Sequence, residues 1–185
     1  MHLPSRLLRA LAAPLLLALA AAAGAQAYPD RPIRLLLPFP VGGPSDITGR
    51  AVAQKLGEQM GANFVVDNRA GAGGNLGLTL AARAAPDGYT LLVTSSSIAV
   101  SPSLYAKLDY DALKDFAPIA RLAQIPNVLI VHPGVKANTL KEFVALARAN
   151  PGKLNYGSGG AGTTNHLANE LLILKTAVEP PIDSF

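Results

Sequence analysis

The sequence predicts an α/β chain built around a parallel sheet. Two observations carry this. Apolar runs of strand length alternate with helical patterns in the order β-α-β-α-β, and each strand exit is followed by a loop rich in Gly, Pro or Ser. Strands in that order pair in parallel through right-handed crossovers, with helices laid over the sheet.

The first unit sets the pattern. The apolar run Ile33–Leu37 has strand length, and its composition suits a strand covered on both faces. The chain breaks at Pro38, Pro40, Gly42, Gly43 and Pro44, then restarts as a helical pattern at Ser45 and Asp46. A helix is expected over 46–60, with Ile47, Val52, Leu56 and Met60 close to one face. Gly49 and Gly57 weaken it by about 1 kcal/mol each relative to Ala. A second strand over 63–67 leads to a Gly-rich turn over 68–77. Asn75 is placed to cap a helix over 76–85, and Pro86, Asp87 and Gly88 end it. A third strand over 89–94 runs into Ser95, Ser96 and Ser97.

The remainder is less regular. A short helix is expected over 98–105 and a loop over 108–116. Apolar passages over 118–124 and 127–132, broken at Pro126, read as two strands in series by which the chain crosses to a second lobe. Thr139 and Glu142 form a capping box that opens a helix to Ala149. A brief strand over 153–156 precedes a third Gly-rich loop, 157–162, and Thr163 or Thr164 caps a helix to about Leu174. Residues 177–185 carry no clear pattern.

The first 27 residues read as a secretory signal: Arg6 and Arg9 precede an apolar stretch, and Ala25-Gln26-Ala27 fits a cleavage site. That stretch is short for a membrane span, and Pro14 interrupts it. Removing the leader lowers Lys+Arg from 16 to 14 against 12 acids, so the charge falls from +4 to +2. A weak net charge without a basic run does not suit nucleic-acid binding. The absence of cysteine excludes disulfides, thiolate metal sites and a Cys nucleophile.

Three loops could carry chemistry, over 38–46, 95–97 and 157–165, each after an expected strand. Ligands in open α/β sheets bind beyond the carboxyl ends of strands. A helix N-terminus presents unpaired N–H groups and a positive dipole end, and Gly lets a ligand approach the backbone. Small hydroxyls and bare amides there suit a carboxylate. Each feature also has a plain structural role: an ordinary strand-to-helix turn, a first-turn carboxylate at Asp46, serines that satisfy their own backbone. Residues 157–162 match G-x-G-x-x-G, a dinucleotide fingerprint, but the strand before them is short and polar and does not open the fold. No G-x-S-x-G is present. His132 reads as a turn residue. His166, in the first turn of the last helix, faces the third loop and either plays a structural part or donates to an anion. No histidine pair has metal-ligand spacing.

Several motifs in order carry a resemblance over about residues 28–170: Tyr28-Pro29 through Pro32-Ile33; Pro38-Phe39-Pro40 with Gly42-Gly43-Pro44-Ser45-Asp46; Asn68-Arg69 with Gly71 and Gly73-Gly74-Asn75; Ala85 to Thr90; and Tyr156-Gly157-Ser158-Gly159 with Gly162-Thr163 and His166-Leu167. They resemble the substrate-binding proteins of tripartite tricarboxylate transporters, the Bug family. The resemblance implies a periplasmic-binding-protein-like (type II) two-lobed α/β fold, with 28–122 as first lobe and 123–185 as a partial second lobe. It implies a monomeric periplasmic protein without catalysis or cofactor, which captures a small carboxylate and hands it to membrane permease subunits, or serves signalling. Carried over by position, the contacts are Phe39, Gly42, Gly43, Ser45, Asp46, Ser95, Ser96 and Ser97 from the first lobe, and Ser158, Gly159, Thr163, Asn165 and His166 from the second.

Two departures stand out. Val41 replaces a more usual Pro or Ala, and from about residue 171 the tail resembles nothing in the family. A truncated chain is therefore expected, with exposed apolar sheet edges and weak folding or weak binding. The competing readings are a Rossmann-type dinucleotide enzyme and an inactive fragment of the binding protein.

Overall fold

The computed structural model describes residues 28–178. The expected signal segment and the end of the divergent tail lie outside the described residues. The elements are β1 (Ile33–Leu37), α1 (Pro44–Met60), β2 (Phe64–Asn68), a 3-10 turn (Ala72–Gly74), α2 (Asn75–Ala82), β3 (Thr90–Leu92), α3 (Ser97–Leu104), α4 (Leu140–Ala149) and α5 (Thr164–Thr176). The sheet has the order β2-β1-β3, and both pairings are parallel. The β-α-β-α-β order of the sequence thus becomes the expected sheet.

The central strand is the core. Ile33, Leu35, Leu36 and Leu37 are at most 2% exposed, each contributing about 1.5–3 kcal/mol by burial. The strand is not apolar throughout, as its composition suggested. Arg34 is half-buried and donates from Nε and Nη2 to Asp67 Oδ2 on β2, at 2.9 and 2.6 Å. The register sets Leu37 beside Asn68. The exits of β1 and β2 therefore lie side by side, and this alignment positions the loops described below.

The helices pack through smaller residues than their apolar periodicity implies. On α1 the buried positions are Asp46, Gly49 and Ala53, whereas Ile47 is 64% and Met60 41% exposed. Gly49 has no side chain because Leu37 occupies the space: a Cβ there would lie 2.7 Å from Leu37 Cδ2. Gly61, at φ 62°, closes α1 with its N–H on the Gly57 carbonyl, a left-handed C-cap. Asn75 is not a side-chain cap. It is the first residue of α2, and its Oδ1 accepts from the Tyr110 hydroxyl at 2.6 Å.

Three expected strands do not form. Residues 118–124, 127–132 and 153–156 have no ladder partner among the described residues, and 117–130 are exposed. Apolar, β-prone sequence becomes a strand only when a neighbouring strand meets its N–H and C=O groups. By contrast, the capping box forms as read. Thr139 Oγ1 accepts from the Glu142 N–H at 3.2 Å, and Glu142 Oε2 accepts from the Asn138 N–H, one residue earlier than the usual partner.

Gly77 in α2 is the sharpest packing constraint. A Cβ there would lie 2.6 Å from Pro38 Cβ, 2.8 Å from Pro38 Cα and 2.9 Å from the Arg69 carbonyl oxygen. None of these groups is a flexible side-chain end. Helix propensity alone favours Gly77→Ala by about 1 kcal/mol, but overpacking costs about 1–3 kcal/mol. Gly77→Ala is expected to lower the thermal midpoint of the chain; an unchanged or higher midpoint would show that the clash is relieved at no cost.

Candidate ligand-binding loops

The first loop is held from below by a buried carboxylate. Asp46 is 3% exposed. Its Oδ1 accepts from Arg50 Nε at 3.0 Å and Asn68 Nδ2 at 2.9 Å. Its Oδ2 accepts from the Gly42 N–H at 2.9 Å and Arg50 Nε at 3.1 Å. Asn68 Nδ2 also donates to the Phe39 carbonyl at 3.1 Å, and Arg50 Nη2 donates to Asn68 Oδ1 at 3.0 Å. Arg50, Gly42 and Asn68, in that order, draw the Asp46 carboxyl down from 3.8 to about 2. Asp46 therefore orients the loop, and each of its oxygens already accepts two hydrogen bonds from the protein.

This network leaves the start of α1 open to an anion. The N–H groups of Ser45 and Asp46 find no acceptor among the described residues. Gly42, at φ 84°, has open space where a side chain would stand, so a ligand can approach the backbone. The Asp46 charge at this helix end is compensated by Arg50, which preserves a site of unspent amides.

The serines of the second candidate loop serve mainly one another. Ser95 Oγ donates to Ser97 Oγ at 3.1 Å and accepts from the Ser97 N–H at 3.3 Å. Ser97 is fully buried. Ser96 is exposed and is the member that faces solvent.

The third loop is likewise partly closed on itself. Ser158 Oγ accepts from the Gly160 N–H at 3.3 Å. Thr163, at the N-cap position of α5, donates its hydroxyl to the Gly160 carbonyl at 2.7 Å and caps no helix N–H. His166 Nδ1 accepts from the Gly162 N–H at 3.4 Å, and its Nε2 lies 3.9 Å from Glu170 Oε1. The ring therefore braces the loop, and the nitrogen facing the loop is an acceptor. Glu170 also accepts from the Tyr156 hydroxyl at 2.6 Å; burial, and then Glu170, push that phenol up to about 12. The N–H groups of Gly157, Ser158, Gly159 and Ala161 have no acceptor among the described residues, and the Asn165 side chain lies beside Gly159. With residues 153–156 not a strand, the G-x-G-x-x-G match lacks the strand–turn–helix setting of a dinucleotide site.

The turn over 71–74, which sequence reasoning left out of the site, joins the other loops. The Phe39 ring lies against Gly74, where a Cβ would be 3.3 Å away. On its other side Gly73 meets the third loop: a Cβ there would strike the Ala161 carbonyl oxygen. Arg50 and Asn68 were missed as well. The Asp46–Arg50 spacing of four, a helical ion-pair pattern, was the available signal for one of them. Outside these loops lie an open depression of about 400 Å³ beside Arg50 and Phe64 and a small apolar groove of about 70 Å³ between α4 and α5.

A parallel sheet with open amides at its strand exits is a general α/β binding architecture, and the comparisons narrow it to the periplasmic binding proteins. Residues 48–180 match the tripartite tricarboxylate transporter family receptor. The chain is 40% identical over 160 residues to Protein BugT of Bordetella pertussis, covering 85% of this chain and 49% of that protein. It is also 40% identical over 153 residues to the UPF0065 protein in the tcbD-tcbE intergenic region of a Pseudomonas species, covering 83% of this chain and 46% of the other. Among solved structures it is similar to R. palustris Rpa4515 with adipate, at a TM-score of 0.83 and 34% identity, over 86% of this chain and 54% of that one. It is similar to MatC from Rhodopseudomonas palustris with bound malate, at 0.76 and 31%, over 85% and 54%. The chain belongs to the tripartite tricarboxylate transporter receptor family. It spans about half the length of the curated relatives it matches.

The Asp46 network has a pH signature. A carboxyl whose folded pKa is depressed adds stability that is complete above its unfolded value and is lost as pH falls through the folded one. For Asp46 that window runs from about pH 4 down to about pH 2. The chain is expected to lose stability across this window more steeply than its Asp46→Asn variant, measured by urea unfolding at successive pH values. Equal slopes would mean that the network does not hold the folded loop.

Proposed function

We propose that the chain is the carboxylate-capturing part of a periplasmic receptor for a tripartite tricarboxylate transporter. The observation that carries this is the set of uncommitted donors at two loops: the Ser45 and Asp46 amides at the start of α1, and the Gly157–Gly159 and Ala161 amides of the third loop. Neutral donors at a helix N-terminus stabilise a carboxylate without an opposing buried charge. The same residues offer no paired acid and base for chemistry. Adipate and malate in the solved relatives give the ligand class. In this reading residues 28–122 form one lobe and the chain from 123 contributes to a second. Ser45, Ser96, Gly42, Gly43 and Phe39 border the ligand on the first side; Ser158, Gly159, Thr163, Asn165 and His166 border or brace it on the other. Ser95 and Ser97 support Ser96. The protein acts as a monomer that delivers its ligand to membrane permease subunits.

Calorimetric titration of the full chain with adipate and with malate is expected to give saturable binding to at least one, and none with a nicotinamide dinucleotide. Silence to both acids would end the proposal; binding of the dinucleotide would move it to the enzyme class. Ser45→Ala removes the hydroxyl and keeps the amide, so binding should weaken by no more than roughly fivefold, the net worth of one hydrogen bond; complete loss would show that the hydroxyl and not the amide carries the contact.

A further inference from the structure

The third loop is fastened to the turn over 71–74 by one side chain from the end of α3. Tyr105 is half-buried, and its hydroxyl lies 3.2 Å from the Ala72 carbonyl and 3.3 Å from the Ala161 carbonyl. A phenol has one hydrogen, so these two acceptors share one donor. The approach around it is close. Gly73, at φ 64°, stands where a Cβ would strike Ala161, and a Cβ on Gly160 would lie 3.6 Å from Gly73 Cα. Leu104 Cδ1 would lie 3.1 Å from a Cβ on Gly162. The two backbones therefore meet at glycines, with the hydroxyl between their carbonyls. Without that donor the Ala161 carbonyl would lose its partner among the described residues, while the Ala72 carbonyl would keep only the Asn75 N–H of its own turn.

We infer that Tyr105 is a positioning residue for ligand capture: its hydroxyl clamps the third loop to the 71–74 turn and so fixes the third loop's open amides relative to the first loop. The link to the first loop runs through Phe39 on Gly74. Nothing in the sequence resemblance assigns Tyr105 a part. The functional half of the inference rests on the carboxylate reading; the structural half does not.

Tyr105→Phe keeps the ring and removes only the donor. Hydrogen exchange on the full chain without ligand reads the clamp directly. The Gly160, Gly162 and Thr163 amides, which are bonded within the loop, should exchange roughly threefold to tenfold faster in the variant, the scale of one hydrogen bond. The β1 amides should not change. Adipate or malate, whichever the unaltered chain binds, should bind more weakly by a similar factor. Unchanged loop exchange overturns the inference whatever the ligands do. Equal acceleration of loop and β1 also overturns it, because it marks a general loss of stability. Faster loop exchange with unchanged affinity removes the positioning role. If the unaltered chain binds neither acid, the carboxylate reading fails, and the positioning role with it, while the exchange result still decides the clamp.

Discussion

The structure depends on how one buried carboxylate is satisfied at the mouth of the sheet. Asp46 sits at the positive end of α1, with Arg50 one helical turn on and Asn68 at the exit of the neighbouring strand. It ties the first loop to α1 through Gly42, and the two strand exits together through Asn68. Burying a charge is costly unless its lone pairs are met. Here three N–H donors meet them, that of Arg50 Nε shared between both oxygens. The same arrangement consumes the one acid in the loop and leaves the Ser45 and Asp46 amides without an acceptor among the described residues.

A second constraint is close approach. Gly49 admits Leu37, Gly77 admits Pro38, Gly74 admits Phe39 and Gly73 admits Ala161. Judged by propensity, these glycines look like weaknesses in helices and turns. Judged by packing, they are where a side chain (Leu37, Phe39) or the chain itself (Pro38, Ala161) presses against the backbone. That is why the buried stripe of α1 is Asp46, Gly49 and Ala53 and not the larger Ile47 and Met60. A loop at a strand exit can be held this tightly only where side chains are absent, and tight holding pre-orders donors before a ligand arrives.

Under the proposed carboxylate reading, amides from separate loops would hold the ligand, so the positions of the loops matter more than any reactive side chain. The hydroxyls of Ser95, Ser97 and Thr163 and the ring of His166 all spend hydrogen bonds on their own loops. They set loop shape. The amides of Ser45, Asp46, Gly157, Ser158, Gly159 and Ala161 are left without an acceptor among the described residues.

The sequence by itself determined the parallel sheet, its central strand to the residue, the α1 terminus at Met60 and the capping box at Thr139. Each of these follows from local periodicity, turn chemistry or a short-range hydrogen bond. Its ordered motifs also determined the family. Tertiary structure alone decided that Asp46 is fully paired, that Asn75 receives Tyr110 instead of capping α2, and that the 71–74 turn joins the first and third loops. It also decided that apolar residues 118–132 remain outside the sheet. The physical reason is the same throughout: strand pairing, polar satisfaction and glycine contacts depend on partners tens of residues away, and no local pattern encodes which partner arrives.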